Sequence, residues 1–248
     1  MNILVCISNV PDTTSKINFK NNDTEFDSSG IQYIINPNDE FGLTRAVWFN
    51  QKVNADVTVL TVGDSFCEPI LRKCLAIGAN RAVRINSNPV DAFQVAYEIA
   101  EFCKKEKFDL IITGRESIDY NGGMVPGIIA EILHFNYVTN CVDLKINENK
   151  AKIRREIEGG IETLSCKLPL IIGAQKGLVE ESDLKIPNMR GIMQARSKPF
   201  EIIEDNTVET KTNTISFSKP DNHKEIKLLS PENLDELIDL LHNEAKVI

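Results

Sequence analysis

The sequence predicts an α/β protein, with a doubly wound, mostly parallel sheet, an antiparallel β meander and a C-terminal arm. Three observations predict it. Over the first two-thirds of the chain, short near-continuous apolar runs alternate with amphipathic stretches, the pattern of βαβ units whose strands are buried on both faces. Between about residues 138 and 168 the apolar period becomes two, punctuated by tight-turn residues, as antiparallel hairpins require. Beyond Arg196 the chain turns polar and closes on one amphipathic segment. The expected division is therefore an α/β domain over 1–195, its antiparallel extension at about 138–168, and an arm over 196–248.

Ile3, Leu4, Val5, Cys6 and Ile7 make the first strand. Pro37-Asn38-Asp39-Glu40 opens a helix to about residue 50, with Phe41, Ala46 and Val47 on one side. Asn36 stands as its N-cap, and Asp39 and Glu40 lie where the helix dipole favours carboxylates. Residues 57–62 form the next strand, closed by Gly63-Asp64-Ser65. A helix carrying Ile70, Leu71, Cys74, Leu75 and Ala76 stops at Gly78 in a left-handed conformation. Residues 82–85 are a third strand, 90–105 a helix with Ala92, Val95, Ala96 and Ile99 inward, and 108–113 a fourth strand breaking at Gly114.

The meander carries Val142, Leu144, Ile146, Ile153, Ile157, Ile161 and Leu164 as its apolar positions and packs on the parallel core. Its turns are Asn147-Glu148-Asn149 and Glu158-Gly159-Gly160, and Leu168-Pro169-Leu170-Ile171-Ile172 returns to a buried strand. In the arm, Ser230 caps a helix with Pro231 at its first position and Leu234, Leu237, Ile238 and Leu241 on one stripe. So short a helix cannot bury that stripe on itself; it must dock on the core or on another chain.

The 248 residues carry 28 Lys and Arg against 36 Asp and Glu, a net charge of −8. That balance argues against a nucleic acid or an anionic membrane as main partner. The six cysteines include no C-x-x-C pair, and the three histidines are His134, His223 and His242. Neither a metal constellation nor a disulfide framework can be assembled from them, so core thiols in a reducing compartment are expected. Met1-Asn2-Ile3 opens as a strand without a basic leader, and no apolar run approaches the ~18 residues of a membrane span. A cytoplasmic protein without membrane insertion is the expectation.

In open parallel sheets, ligands bind beyond the carboxyl ends of strands near a topological switch point. That rule points to the segments after Ile7, Val62 and Thr113. The last of them, Gly114-Arg115-Glu116-Ser117-Ile118-Asp119-Tyr120-Asn121-Gly122-Gly123-Met124-Val125-Pro126-Gly127, follows a buried strand and precedes an apolar helix. It lacks the lysine and hydroxyl of a P-loop and does not read G-x-G-x-x-G. Two readings stay open: an anion cradle without a catalyst, or an ordinary β–α loop with glycines for turning. Asp12, in Val10-Pro11-Asp12-Thr13-Thr14, either bonds a sugar or braces a turn. No nucleophile, acid–base pair or Ser/His/Asp set can be assembled, which disfavours a hydrolase or transferase.

Several blocks then become recognisable in order: Val10-Pro11-Asp12-Thr13; Ile34-Ile35-Asn36-Pro37 with Asp39-Glu40; Leu71-Arg72 through Leu75-Ala76-Ile77-Gly78-Ala79; Asp109-Leu110-Ile111 leading to Gly114 and Ile118-Asp119. Arg155-Glu156-Ile157-Glu158-Gly159-Gly160-Ile161-Glu162, Leu168-Pro169 and Gly191-Ile192-Met193-Gln194-Ala195-Arg196-Ser197-Lys198 complete the set. Together they resemble the β subunits of electron transfer flavoproteins, from Met1 to about Phe200 and more loosely beyond.

The resemblance implies a Rossmann-like, adenine-nucleotide-binding fold in an electron-carrier subunit that has no catalytic or metal-binding residues of its own. It implies an α subunit holding most of an FAD, and transfer from flavin dehydrogenases of the acyl-CoA dehydrogenase type to a downstream acceptor. The β pocket holds AMP, or a second FAD in electron-bifurcating members. Carried over residue by residue, that pocket comprises Cys6, Asn36, Pro37, Asn38, Asp39, Val62 and the run Gly114 to Val125. Thr13 matches a position that approaches the partner's flavin, and Met189 the apolar anchor of a loop that docks on dehydrogenases. The chain departs from the family at Met124-Val125-Pro126-Gly127, where members carry Gln-Thr-Gly or Gln-Val-Gly; Pro126 removes one amide donor from the phosphate loop. The rival classes are a stand-alone nucleotide-binding regulator resembling universal stress proteins, which leaves meander and arm without purpose, and an adenylating or phosphoryl-transfer enzyme, which lacks its lysine.

Overall fold

The structure, a computed structural model, describes residues 1–219 and 226–248; His223 lies outside them. After β1 (Asn2–Cys6) come four short strands, β2 (Asn9–Pro11), β3 (Phe19–Lys20), β4 (Glu25–Phe26) and β5 (Tyr33–Ile35), paired β2 with β5 and β3 with β4. The alternating part follows as α1 (Pro37–Val53), β6 (Asp56–Gly63), α2 (Glu68–Ile77), β7 (Arg81–Asn86), α3 (Ala92–Lys105), β8 (Leu110–Gly114) and α4 (Val125–Leu133). The meander is β9 (Asn136–Asn147), β10 (Lys150–Ile157) and β11 (Gly160–Lys167). Then come β12 (Leu170–Ala174), α5 (Met189–Ala195), β13 (Phe200–Glu204) and α6 (Leu234–Asp239).

One nine-stranded sheet runs β11-β10-β9-β12-β8-β1-β6-β7-β13. β1 is its pivot, parallel to β6 on one side and to β8 on the other, so the strand order reverses there. Successive β1 residues feed two cores. Ile3 and Val5 pack with Leu43 and Val47 of α1 and Leu71 and Leu75 of α2; Leu4 and Cys6 pack with Ile99 and Phe102 of α3 and Ile129 of α4. Burial on both faces is what the unbroken apolar run encodes.

Four expectations need correction. The meander lies at the edge of the sheet and not on its face: β9 runs parallel to β12, β10 alone runs against the other strands, and Val138, Cys141, Leu144, Ala151 and Ile153 are buried in the core. Its outer positions Ile157 and Ile161 are exposed beyond the edge of the core. The sheet also reaches past the expected boundary at residue 195, because Phe200–Glu204 pairs in parallel with β7. Gly78 stops α2 at φ +149°, ψ 0°, a glycine conformation outside the left-handed helical region. The last helix is capped by Asn233, whose side chain accepts from Glu236 N, and not by Ser230.

Residues 205–219 form a strap across the carboxyl edge of the sheet. Ser87 Oγ donates to Asp205 (2.7 Å), and Asn206 donates through its backbone and side-chain nitrogens to the buried Glu98 carboxylate (both 2.9 Å). The amides of Lys211 and Thr212 donate to Asp91 Oδ2, and Phe217 stacks on Phe19 at 5.0 Å. No helix among the described residues is long and apolar enough to cross a membrane.

Candidate functional site

The carboxyl ends of β1, β6 and β8 open on a cleft of about 530 Å³ at the point where the strand order reverses. That is within the usual size of a small-molecule site, about 300–1,000 Å³. Of the residues the sequence singled out, Cys6, Asp39, Val62, Gly114, Glu116, Ser117, Asp119, Tyr120, Gly122, Met124 and Val125 line it. Asn36, Pro37, Asn38, Arg115, Ile118, Asn121 and Gly123 stand outside the lining, and Thr13 occupies an exposed turn. Sequence reasoning missed a third wall: Pro89, Val90, Asp91, Ala92 and Val95 at the start of α3, with Thr214 of the strap above it. Asp91 at a helix start was the available signal; the strap had none, because its contacts cross the chain.

Asn36 holds the N-cap position of α1, yet its side chain does not cap the helix. Its side chain makes no cap bond; Nδ2 donates to Glu116 O (2.9 Å) and Oδ1 accepts from Ile118 N (3.3 Å). Asn38 Nδ2 donates to the same Glu116 carbonyl (3.2 Å), so the start of α1 holds the loop after β8 in place. Asp39 completes the tie. Its carboxylate accepts from Ser8 N after β1 and from Gly114 N at the end of β8, both at 2.7 Å.

Burial pushes the Asp39 carboxyl up to about 7, against the opposing pull of the Ser8, Asn36 and Gly114 hydrogen bonds. A folded pKa above the unfolded value near ~4 stabilises the fold fully below about pH 4, and that contribution is lost as pH rises through about 7. Wild type should therefore lose stability relative to Asp39→Asn between pH 5 and 7.5, by up to about 1.4 kcal/mol per pH unit. Urea midpoints of both proteins across that range check it.

The loop after β8 spends six of its backbone donors on the protein itself. The amides of Gly114, Arg115, Ser117, Ile118, Tyr120 and Gly122 donate to Asp39, Ala174, Gly122, Asn36, Asp119 and Ser117 respectively. α4 begins with Pro126 near its N-terminus and has no side-chain cap. Asp91 serves α3 differently: Oδ1 accepts from Gln94 N (2.8 Å) while Oδ2 receives the strap.

On the other side of the sheet, α5 is pressed onto α2. A Cβ on Gly191 would stand closer to the Ala76 carbonyl oxygen than real side chains do, Arg72 Nη1 donates to Ala195 O (3.1 Å), and Lys198 Nζ donates to the carbonyls of Leu75 and Ala79. On this fixed base Met189 is 76% exposed.

Comparison with known proteins now decides the family. The family model described as the electron transfer flavoprotein domain matches residues 23–208. The chain is 34% identical to electron transfer flavoprotein subunit beta of Bacillus subtilis (strain 168) over 262 aligned positions covering all of both chains. It is 32% identical to the same-named protein of Syntrophomonas wolfei subsp. wolfei (strain DSM 2245B / Goettingen), covering 89% of this chain and 86% of the other. With the human protein of that name it shares 30% identity over 89% of each. The chain belongs to the electron transfer flavoprotein β-subunit family. Membership accounts for the order of the blocks read in the sequence, and the edgewise meander and parallel sheet are consistent with the family's fold.

Proposed function

We propose that the chain is the β half of a heterodimeric electron carrier, passing electrons from flavin dehydrogenases of the acyl-CoA dehydrogenase type to a downstream acceptor. In this reading an α subunit holds the FAD, this chain helps to enclose it, and the cleft at the β1/β8 switch point takes the adenosine part of AMP. The observation that supports this reading is that eleven of the residues named by family position line the one cleft to which the switch-point rule points. The flavin supplies the electron chemistry. What this chain supplies is position: Asn36, Asn38 and Asp39 hold the loop over the cleft, and α5 presents its apolar tip.

The apolar walls built by Val62, Val90, Val95 and Ile99 suit a planar base. The stand-alone regulator is the weaker alternative, since the last helix leaves Leu234 62%, Leu237 40% and Ile238 56% exposed, a stripe that needs a second chain.

Co-expression with the cognate α subunit tests the proposal. One FAD per heterodimer, released on denaturation, supports it; a chain that neither associates nor brings flavin with it overturns it. Two FAD per heterodimer would assign the bifurcating arrangement. Met189 gives a separate expectation. Truncation to Ala should slow electron exchange with a partner dehydrogenase about tenfold or more, the loss of one buried apolar anchor of roughly 1.5–3 kcal/mol, with heterodimer yield and flavin content unchanged. Stopped-flow rates against dehydrogenase concentration check it.

A further inference from the structure

Two of the chain's four methionines stand together on α5. Met189 is 76% and Met193 70% exposed, and one turn apart they share a helix face. Ile186, just ahead of the helix, and Ile192 within it are exposed as well, so two thioether sulfurs belong to an uncovered apolar patch. Such a patch on a protein surface marks docking.

The helix cannot turn either sulfur inward. Gly191 lies against the Ala76 carbonyl, Ala195 is buried, and Asn188 Oδ1 accepts from Gly191 N (2.8 Å). With Arg72 and Lys198, these contacts fix α5 on α2. Neither methionine belongs to the two hydrophobic cores. A chemical change at these sulfurs therefore alters the surface and leaves the fold as it is.

The thiols, by contrast, are withdrawn from an oxidant. Five of the six cysteines are buried and Cys166 is half-buried. Burial pushes the thiols of Cys6, Cys67 and Cys74 up, and those of Cys103 and Cys141 up to about 12. Peroxide is attacked by the thiolate, so protonated and buried thiols react slowly; a thioether needs no deprotonation, only access.

We propose that Met189 and Met193 form a reversible oxidation site for hydroperoxides, and that their sulfoxides switch off docking on partner dehydrogenases. The proposal rests on the docking reading of α5 above and adds its control. Each sulfur attacks one peroxide oxygen, and a sulfur–oxygen bond forms as the oxygen–oxygen bond breaks. The leaving hydroxide takes the proton of the transferred hydroxyl as water; sulfur gives up two electrons and the peroxide accepts them. The sulfoxide is polar where the thioether was apolar, and an apolar pocket strips its water without offering a partner.

The test uses the heterodimer with its flavin, exposed to hydrogen peroxide, quenched with catalase and mapped by peptide mass spectrometry. Oxidation at Met189 and Met193 should slow electron exchange with a partner dehydrogenase by at least about tenfold and leave the melting temperature unchanged. Methionine sulfoxide reductases of both epimer specificities should restore the rate. A Met189→Leu/Met193→Leu double variant, compared with its own untreated rate, should not respond to peroxide. Full-rate exchange with both sulfurs oxidised overturns the proposal. Equal slowing of the double variant also overturns it, by placing the damage at Met124, Cys166 or the flavin. A lowered melting temperature does so too, since the sulfurs would then serve the fold. If Met189→Ala leaves exchange unchanged, the docking reading fails and takes this proposal with it. If that variant is slow while the oxidised protein is not, only the switch fails.

Discussion

Gly114→Ala should lower the melting temperature by roughly 5–12 °C and abolish ligand binding in the cleft. Gly114 ends β8 where three side chains converge. A Cβ there would stand 2.9 Å from Asn36 Nδ2, 2.9 Å from Asn38 Cβ, and closer still to Asp39 Oδ1. None of these can yield cheaply. Asn36 and Asn38 both donate to Glu116 O, and Asp39 is buried and bonded to the Gly114 amide itself. Moving them breaks the tie between the ends of β1 and β8, so an overpacking cost adds to lost buried hydrogen bonds, about 2–4 kcal/mol together. Gly122→Ala is the control. Its Cβ meets only Ser117 Oγ, at 3.7 Å, and the change should stay within about 0.5 kcal/mol. Differential scanning calorimetry of the two variants reads the contrast, and equal melting temperatures would show that the Asp39–Gly114 tie does not hold the loop.

The same tie shows how far the sequence could be read. Strands buried on both faces announce themselves, because every residue of Ile3, Leu4, Val5 and Cys6 must be apolar. The position of the cleft followed from that, since strand ends and a reversal of order are consequences of topology. What Asn36 does was not legible. An asparagine before Pro37 reads locally as a cap, and only the fold brings it to the loop at Glu116 and Ile118. β13 was hidden for the opposite reason. As an edge strand it keeps Glu201, Ile202 and Glu204 exposed, so its composition looks like a solvated tail. Glu98 was hidden too: a buried glutamate on the inner side of α3 is intelligible only once Asn206 reaches it from the strap. Long-range polar contacts leave no periodicity in the chain.

Replacing Leu234, Leu237 and Ile238 together by Asp should abolish co-purification with an α subunit and leave the melting of the α/β body unchanged. The stripe is exposed in the isolated chain, so nothing in the core relies on it. If the three side chains become buried on a partner, each contributes roughly 1.5–3 kcal/mol, and their loss with added charge weakens association by more than about a thousandfold. The acidic first turn, Asp235 and Glu236, already satisfies the helix dipole, so further acid on the apolar face adds no helical stability to confuse the result. Pull-down yield and analytical ultracentrifugation measure the association, and calorimetry measures the body. A lowered melting temperature in the lone chain would mean that the stripe folds back on its own core. Unchanged co-purification would mean that the two subunits meet through the sheet and its meander alone. Only the combination of lost association and unchanged melting requires a partner to cover the stripe.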